Sequence, residues 1–190
     1  VFQRTPSTIG VRDNRPIDPS FAASLKPGWQ QERMENFLSI VTGGYASEDL
    51  IDDGWTATTR LQRKMLTGSI DDSLDDEERE HLDELADFRV MDQLRARVDE
   101  VVDDPDVAEL LKPWYRYMCK RPGFSDHYLQ TFNLPTVTLV DTADTGGITA
   151  MTETAVVVGD REYEVDCVVF ATGFEVGVSG VISGTLPVTG

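Results

Sequence analysis

Three short stretches of this chain carry residue types that could bind or stabilise an anion. Gln3-Arg4-Thr5-Pro6 places a guanidinium and a hydroxyl just past apolar Val1 and Phe2, and Pro6 stops any central strand there. In a dinucleotide-binding fold the second strand ends beside the adenosine ribose. An arginine at that point suits the 2′-phosphate of NADP rather than the free hydroxyl of NAD. An ordinary surface arginine is the alternative for Arg4. Cys119-Lys120-Arg121-Pro122 sets two adjacent cations after the aromatic run Trp114-Tyr115-Arg116-Tyr117. That pattern suggests an anion or phosphate site, with a salt bridge to the acidic helix as the competing reading. The third stretch, Ala171-Thr172-Gly173-Phe174-Glu175, closes an apolar run, Cys167 to Ala171, flanked by polar Asp166 and Thr172. Such a run reads as a strand covered on both faces. Gly173 then admits either a plain turn or the close approach of a ligand.

The elements that must position these stretches follow from two changes of pattern. Val1 to Arg4 reads as the end of a strand, and Thr5 to Pro19, with prolines at 6, 16 and 19, as a loop or extended arm. From Gly28 the spacing becomes helical, with Met34, Phe37, Leu38 and Val41 on one face up to Gly43-Gly44. A second helix is predicted over Thr58 to Leu66, ended by Gly68. A third has Leu82, Leu85, Phe88, Met91, Leu94, Val98 and Val101 beneath an acidic outer face. Asp71, Asp72 and Asp75 supply its capping and dipole charge, and Pro105 ends it. A short helix, Asp106 to Leu111, precedes Pro113. After Pro135 the period switches to two. Thr136 to Val140, Ile148 to Met151, Ala155 to Val158 and Glu162 to Val165 read as strands, with turns at Asp144-Thr145-Gly146-Gly147 and Gly159-Asp160. A helical block of about 90 residues is thus bracketed by α/β-type sequence, which implies an insertion rather than a string of domains.

Composition narrows the partners. The chain has 190 residues, is 40% hydrophobic, and has a net charge of −17. Between Asp71 and Glu109, 17 acids face four arginines, so −13 of the charge is a local property of one helical surface. Nucleic acid and anionic membranes need basic patches, so neither is an expected partner. No apolar stretch approaches the roughly 20 residues that span a bilayer, and no signal pattern opens the chain. Cys119 and Cys167 suit a reducing cytoplasm without a disulfide. His81 and His127 lack ligand spacing, so no metal site is expected and both are read as exposed.

Four motifs together go further than any one of them: VFQRTP at Val1 to Pro6, LKPWYRYMCKRP at Leu111 to Pro122, YLQTFNLPTVTLVD at Tyr128 to Asp141, and VDCVVFATGFE at Val165 to Glu175. In this order they resemble the Baeyer-Villiger monooxygenases, flavin-dependent enzymes that use NADPH, and the resemblance covers essentially the whole chain. It implies an α/β fold: part of a flavoprotein with two dinucleotide-binding domains, here a split Rossmann-like NADP domain with a β-meander, carrying an all-α insertion. The implied division is residues 1–18 and 112–175 for the NADP domain, 19–111 for the helical insertion, and 176–190 for the start of the return to the FAD domain. Arg4, Thr5 and Lys120 match positions that hold the adenosine phosphate of NADPH. Arg121 matches the catalytic arginine beside the flavin, where its fixed fork of donors stabilises developing negative charge. Thr172 and Gly173 match cofactor-proximal hinge positions. The implied cofactors are FAD and NADPH. The implied reaction converts a ketone and O2 to an ester or lactone through a C4a-peroxyflavin.

The chain departs from the family in carrying no G-x-G-x-x-G for either dinucleotide, so a longer parent with its own FAD domain is the expected partner. Gly123 is a smaller departure, since many relatives carry a bulkier residue or a cysteine there. Two other readings stand beside this one: a non-catalytic dinucleotide- or partner-binding module, and a related flavoprotein that N-hydroxylates amines or oxidises heteroatoms.

Overall fold

A computed structural model of the chain describes residues 1–42, 46–57, 75–117 and 119–172, with all their side chains but those of residues 76 and 79. It divides into two compact units, Val1–Gly147 and Ile148–Gly190.

The first unit runs β1 (Phe2–Gln3), β2 (Ile9–Gly10), α1 (Pro19–Ser24), α2 (Trp29–Val41), a helical turn at 54–57, α3 (Asp76–Val101), α4 (Pro105–Leu111), β3 (Gly123–Phe124), α5 (Tyr128–Thr131) and β4 (Val140–Asp141). β1 pairs in parallel with β4, Phe2 opposite Val140, and β2 pairs in parallel with β3, Ile9 opposite Gly123. Parallel neighbours need a long crossover. Here α1 to α4 lie between β2 and β3, so sequence on either side of them is drawn together.

Local chemistry sets the helix ends. Asp75 accepts the Glu78 N–H at 2.9 Å while the Glu78 carboxylate accepts the Asp75 N–H at 3.1 Å. This reciprocal box satisfies two otherwise orphaned donors and starts α3 at Asp76. Asp71, Asp72, Gly43-Gly44 and the helix expected over Thr58 to Leu66 lie outside the described residues. Asp104 caps α4 and puts Pro105 at its first position, one residue before the expected start. The same Asp-Pro device, Asp18 then Pro19, starts α1 in a stretch where no helix was expected before Gly28. The arm from Thr5 to Pro19 also holds a strand, β2, too short to leave a period in the sequence.

The expected apolar faces are partly corrected. In α2 only Ile40 is buried, whereas Met34 and Leu38 are exposed. Spacing marks a face that can be buried, but the covering contacts fall on another line of α2: Arg33 lies over the Phe21 ring of α1 at 5.7 Å, and Asn36 donates to the Glu48 carbonyl at 2.7 Å. In α3 the buried stripe is Ala86, Asp87, Val90, Met91 and Val98, while Leu85 and Phe88 are 41% and 49% exposed. One position is a rotation of about 100°, so choosing Leu85 over Ala86 turns the face away from its neighbours. One cluster of the core joins Val98 and Val102 to Ala108 and Leu111 of α4 and to Leu129 and Phe132 at α5. A second joins Val90 and Met91 to Tyr117.

The second unit is an antiparallel meander of β5 (Ala150–Met151), β6 (Ala155–Val158) and β7 (Arg161–Glu164). Ala155, Val156 and Val158 are its buried residues. Gly159 has φ of 59°, as a two-residue hairpin between Val158 and Arg161 requires. The strand expected over Cys167 to Ala171 is not formed: Cys167 is exposed, and Val169 and Phe170 are 84% and 65% exposed. A strand buried on both faces needs hydrogen-bonding neighbours and covering layers. The described residues of this unit supply neither for 167–171. Among the described residues no helix is long and apolar enough to cross a membrane.

Candidate functional site

The anion-binding candidates of the first unit sit on two segments locked together by backbone and by one tyrosine. Gly123 N–H donates to the Thr8 carbonyl at 2.9 Å, and Ser125 N–H to that of Gly10 at 3.0 Å, extending the β2·β3 pair on both sides. The Tyr115 hydroxyl donates to the Pro6 carbonyl at 3.0 Å and accepts the Thr8 N–H at 3.2 Å. Burial pushes this phenol above its ordinary pKa, so at neutral pH it keeps the proton it donates. The Lys120 ammonium lies 5.5 Å from the centroid of the same ring.

Arg4, Thr5, Lys120 and Arg121 are all exposed at this junction. Among the described residues neither Arg4 nor Arg121 makes a hydrogen bond or ion pair, and the ring of Tyr115 is the sole partner of Lys120. The acidic helix draws its cations from elsewhere. Lys112 bridges Asp99 at 2.9 Å and Glu109 at 2.8 Å, and Arg95 pairs with Asp92 and stacks 4.4 Å from the centroid of Trp114. Among the described residues neither Lys120 nor Arg121 is in a salt bridge to α3, the competing reading of that pair. Pro122, directly after the cation pair, is buried, and the Phe124 ring packs 4.9 Å from the centroid of Trp55. A Cβ on Gly10 or Gly54 would lie within 2.8 Å of that ring, so both positions hold space for it.

Sequence reasoning missed three supports of this site. Tyr115 was legible only as one aromatic of a run. Asp87 is 6% exposed; one carboxylate oxygen accepts the Tyr117 N–H at 2.9 Å, and the other is buried without a hydrogen-bond partner among the described residues. Burial pushes its carboxyl above the ordinary range, against the pull of the Tyr117 N–H and of Arg116 and Arg95. Its one sequence signal is a place between Ala86 and Val90 on the corrected face of α3. The third is Asp126, whose carboxylate accepts the N–H groups of Arg12 and Asp13 at 3.0 Å and of Asn14 at 3.2 Å, holding a turn in which Asp13 has φ of 50°.

Those N–H groups hold the Asp126 carboxyl below its ordinary pKa. A depressed folded-state value contributes stability above the unfolded pKa, about 3.9, that is lost as pH falls through the folded value. Asp126→Asn is expected to flatten the fall in melting temperature below about pH 4. An unchanged acid limb in a melting series from pH 7 to pH 3 counts against this arrangement.

In the second unit Thr172 is exposed and lies in no strand, and Gly173 is outside the described residues, as are 176–190. Both histidines are exposed, as their spacing suggested. Among the described residues no His, Cys, Asp or Glu cluster could hold a metal ion.

No family model matches the chain. A Baeyer-Villiger monooxygenase of Streptomyces coelicolor is 56% identical over 191 aligned positions, covering 100% of this chain and 31% of that protein. Among solved structures, the polycyclic ketone monooxygenase of the thermophilic fungus Thermothelomyces thermophila aligns with a TM-score of 0.70 at 42% identity, covering 87% of this chain and 27% of the other. The crystal structure of OTEMO in complex with FAD and NADP aligns over 94% of this chain and 34% of its own with a TM-score of 0.63; at 23% identity that likeness is one of fold. In sequence and in fold the chain belongs to the Baeyer-Villiger monooxygenases, spanning 31% of the length of the curated Streptomyces relative.

Proposed function

We propose that the protein is a flavin-dependent monooxygenase that consumes NADPH, a proton and O2 to convert a ketone to an ester or lactone, releasing NADP⁺ and water. In this reading Arg4, Thr5 and Lys120 hold the 2′-phosphate of NADPH, Arg121 works beside the flavin, and Thr172 and Gly173 lie close to the cofactor. The observation that carries it is the set of three exposed cations, none in an ion pair among the described residues, on two interlocked segments of a chain with a net charge of −17. Cations left unpaired amid such an excess of acid fit an external dianion. OTEMO, a fold relative, is described in complex with FAD and NADP.

The parts follow from residue chemistry. Thr5 offers a neutral donor and Arg4 a planar fork for phosphate oxygens, while Lys120 adds a compact charge held over an aromatic face. Bound FAD supplies the oxygen-activating redox chemistry. Arg121 offers the planar fork of donors of a guanidinium, so its contribution is a fixed positive potential where negative charge develops. The parallel pairs that join sequence on either side of the helices support a split NADP domain, residues 1–18 and 112–175, with 19–111 as an all-α insertion and 176–190 returning to an FAD domain. Two exposed free cysteines support a reducing, cytoplasmic setting.

Cofactor preference tests the phosphate site. Lys120→Ala and Arg4→Ala are each expected to raise the KM for NADPH about tenfold, the scale of one charge-assisted hydrogen bond, without moving the KM for NADH. If steady-state kinetics of the flavin-loaded protein show the same NADPH-to-NADH preference in both variants, this assignment falls.

A further inference from the structure

Arg4-Thr5 and Lys120 stand on segments far apart in sequence, and one side chain touches both. The Tyr115 hydroxyl reaches the Pro6 carbonyl across 109 residues and takes the Thr8 N–H across 107. Its ring carries the Lys120 ammonium 5.5 Å from the centroid. The two ends of the tyrosine thus act separately, the hydroxyl fixing the arm and the ring face seating the cation.

We propose that Tyr115 is the positioning residue of the phosphate site, setting the separation between Arg4-Thr5 and Lys120 so that both reach one 2′-phosphate. The inference rests on the assignment of those three residues given above and adds what holds them in register. Pro6 has a fixed φ, so an anchor on its carbonyl limits the directions open to Thr5 just before it. Thr8 is 1% exposed, and its carbonyl accepts the Gly123 N–H at 2.9 Å. The path thus closes on itself, from Thr8 through Tyr115 and Lys120 to Gly123 and back to Thr8. A lysine in solution gives up rotamer freedom to hold a phosphate, and one already seated on a ring gives up less. Tyr115 touches no phosphate in this arrangement; it acts through the groups that do.

The substitutions that separate its two ends form the experiment, made in the flavin-loaded protein. Tyr115→Phe keeps the seat of Lys120 and removes both hydrogen bonds. It is expected to raise the KM for NADPH about three- to tenfold, the scale of one or two neutral hydrogen bonds, with kcat and the KM for NADH unchanged. Tyr115→Leu removes the seat as well and raises it further. Tyr115→His, which keeps a ring and a donor, falls between parent and Leu. Calorimetric titration gives a second readout: 2′,5′-ADP binds more weakly to Tyr115→Phe, and 5′-AMP binds as before. A Tyr115→Phe variant that melts earlier yet keeps the parent's NADPH-to-NADH preference makes the tyrosine a structural tie and overturns the proposal. If Lys120→Ala and Arg4→Ala keep that preference as well, the phosphate assignment itself has failed, and the two failures are told apart.

Discussion

Replacing Arg121 with alanine is expected to lower ketone oxygenation by about 10²- to 10³-fold, the range seen when one preorganised donor is removed from a developing anion, while flavin remains bound. The backbone supplies the first reason. Pro122 is buried and Gly123 is hydrogen-bonded to Thr8, so the residue just before them leaves a fixed point with its side chain exposed. Its guanidinium is spent on no carboxylate among the described residues. Arg121→Lys keeps a charge but loses the planar fork, and an intermediate rate is expected. The readout is lactone or ester formed per flavin, with flavin content measured by absorbance. Unchanged product formation by the alanine variant, with flavin in place, removes Arg121 from its proposed role.

The second large effect concerns stability and separates two residues that look alike in the sequence. Met91 and Leu85 both fit the helical spacing of α3, yet Met91 is 1% exposed and Leu85 is 41% exposed. Met91 packs with Val90 and Tyr117, the latter two residues after Tyr115. Met91→Ala removes that packing and leaves a cavity, with an expected cost of about 3 kcal/mol. For a domain of this size that is a fall of roughly 6–12 °C in melting temperature. Leu85→Ala is expected to cost less than about 0.5 kcal/mol, as surface changes do. Thermal unfolding of the two variants decides the matter. Equal losses would restore the face that spacing alone suggests.

What the sequence showed and what it hid divide along a physical line. Caps, turns and prolines act within a few residues, so the cap at Asp75, the turn at Gly159-Asp160 and the end of β1 before Pro6 were readable in place. The cations Arg4, Lys120 and Arg121 were readable as types, because the chain has 17 lysines and arginines against 34 acids. Which face of a helix is buried depends on what packs there, and so Leu85 and Phe88 were misplaced by one position. The run from Cys167 to Ala171 has the pattern of a covered strand, but pattern specifies a demand for neighbours and does not supply them. The partners of Tyr115 and Asp126 lie far away in sequence, and no local window contains them.

That distance also sets an order of events during synthesis. The Arg12 N–H waits for the Asp126 carboxylate 114 residues later, and Pro6 for Tyr115, 109 residues later. At about 5–20 residues per second, the arm around Pro6 leaves the ribosome on the order of 10 s before its first partner exists. The first of the four motifs, Arg4 included, is therefore without its ties while the helical series is made. Any nascent-chain factor or protease that meets this protein early meets the stretch from Val1 to Pro19 with β1 and β2 both unpaired and Arg4 bare.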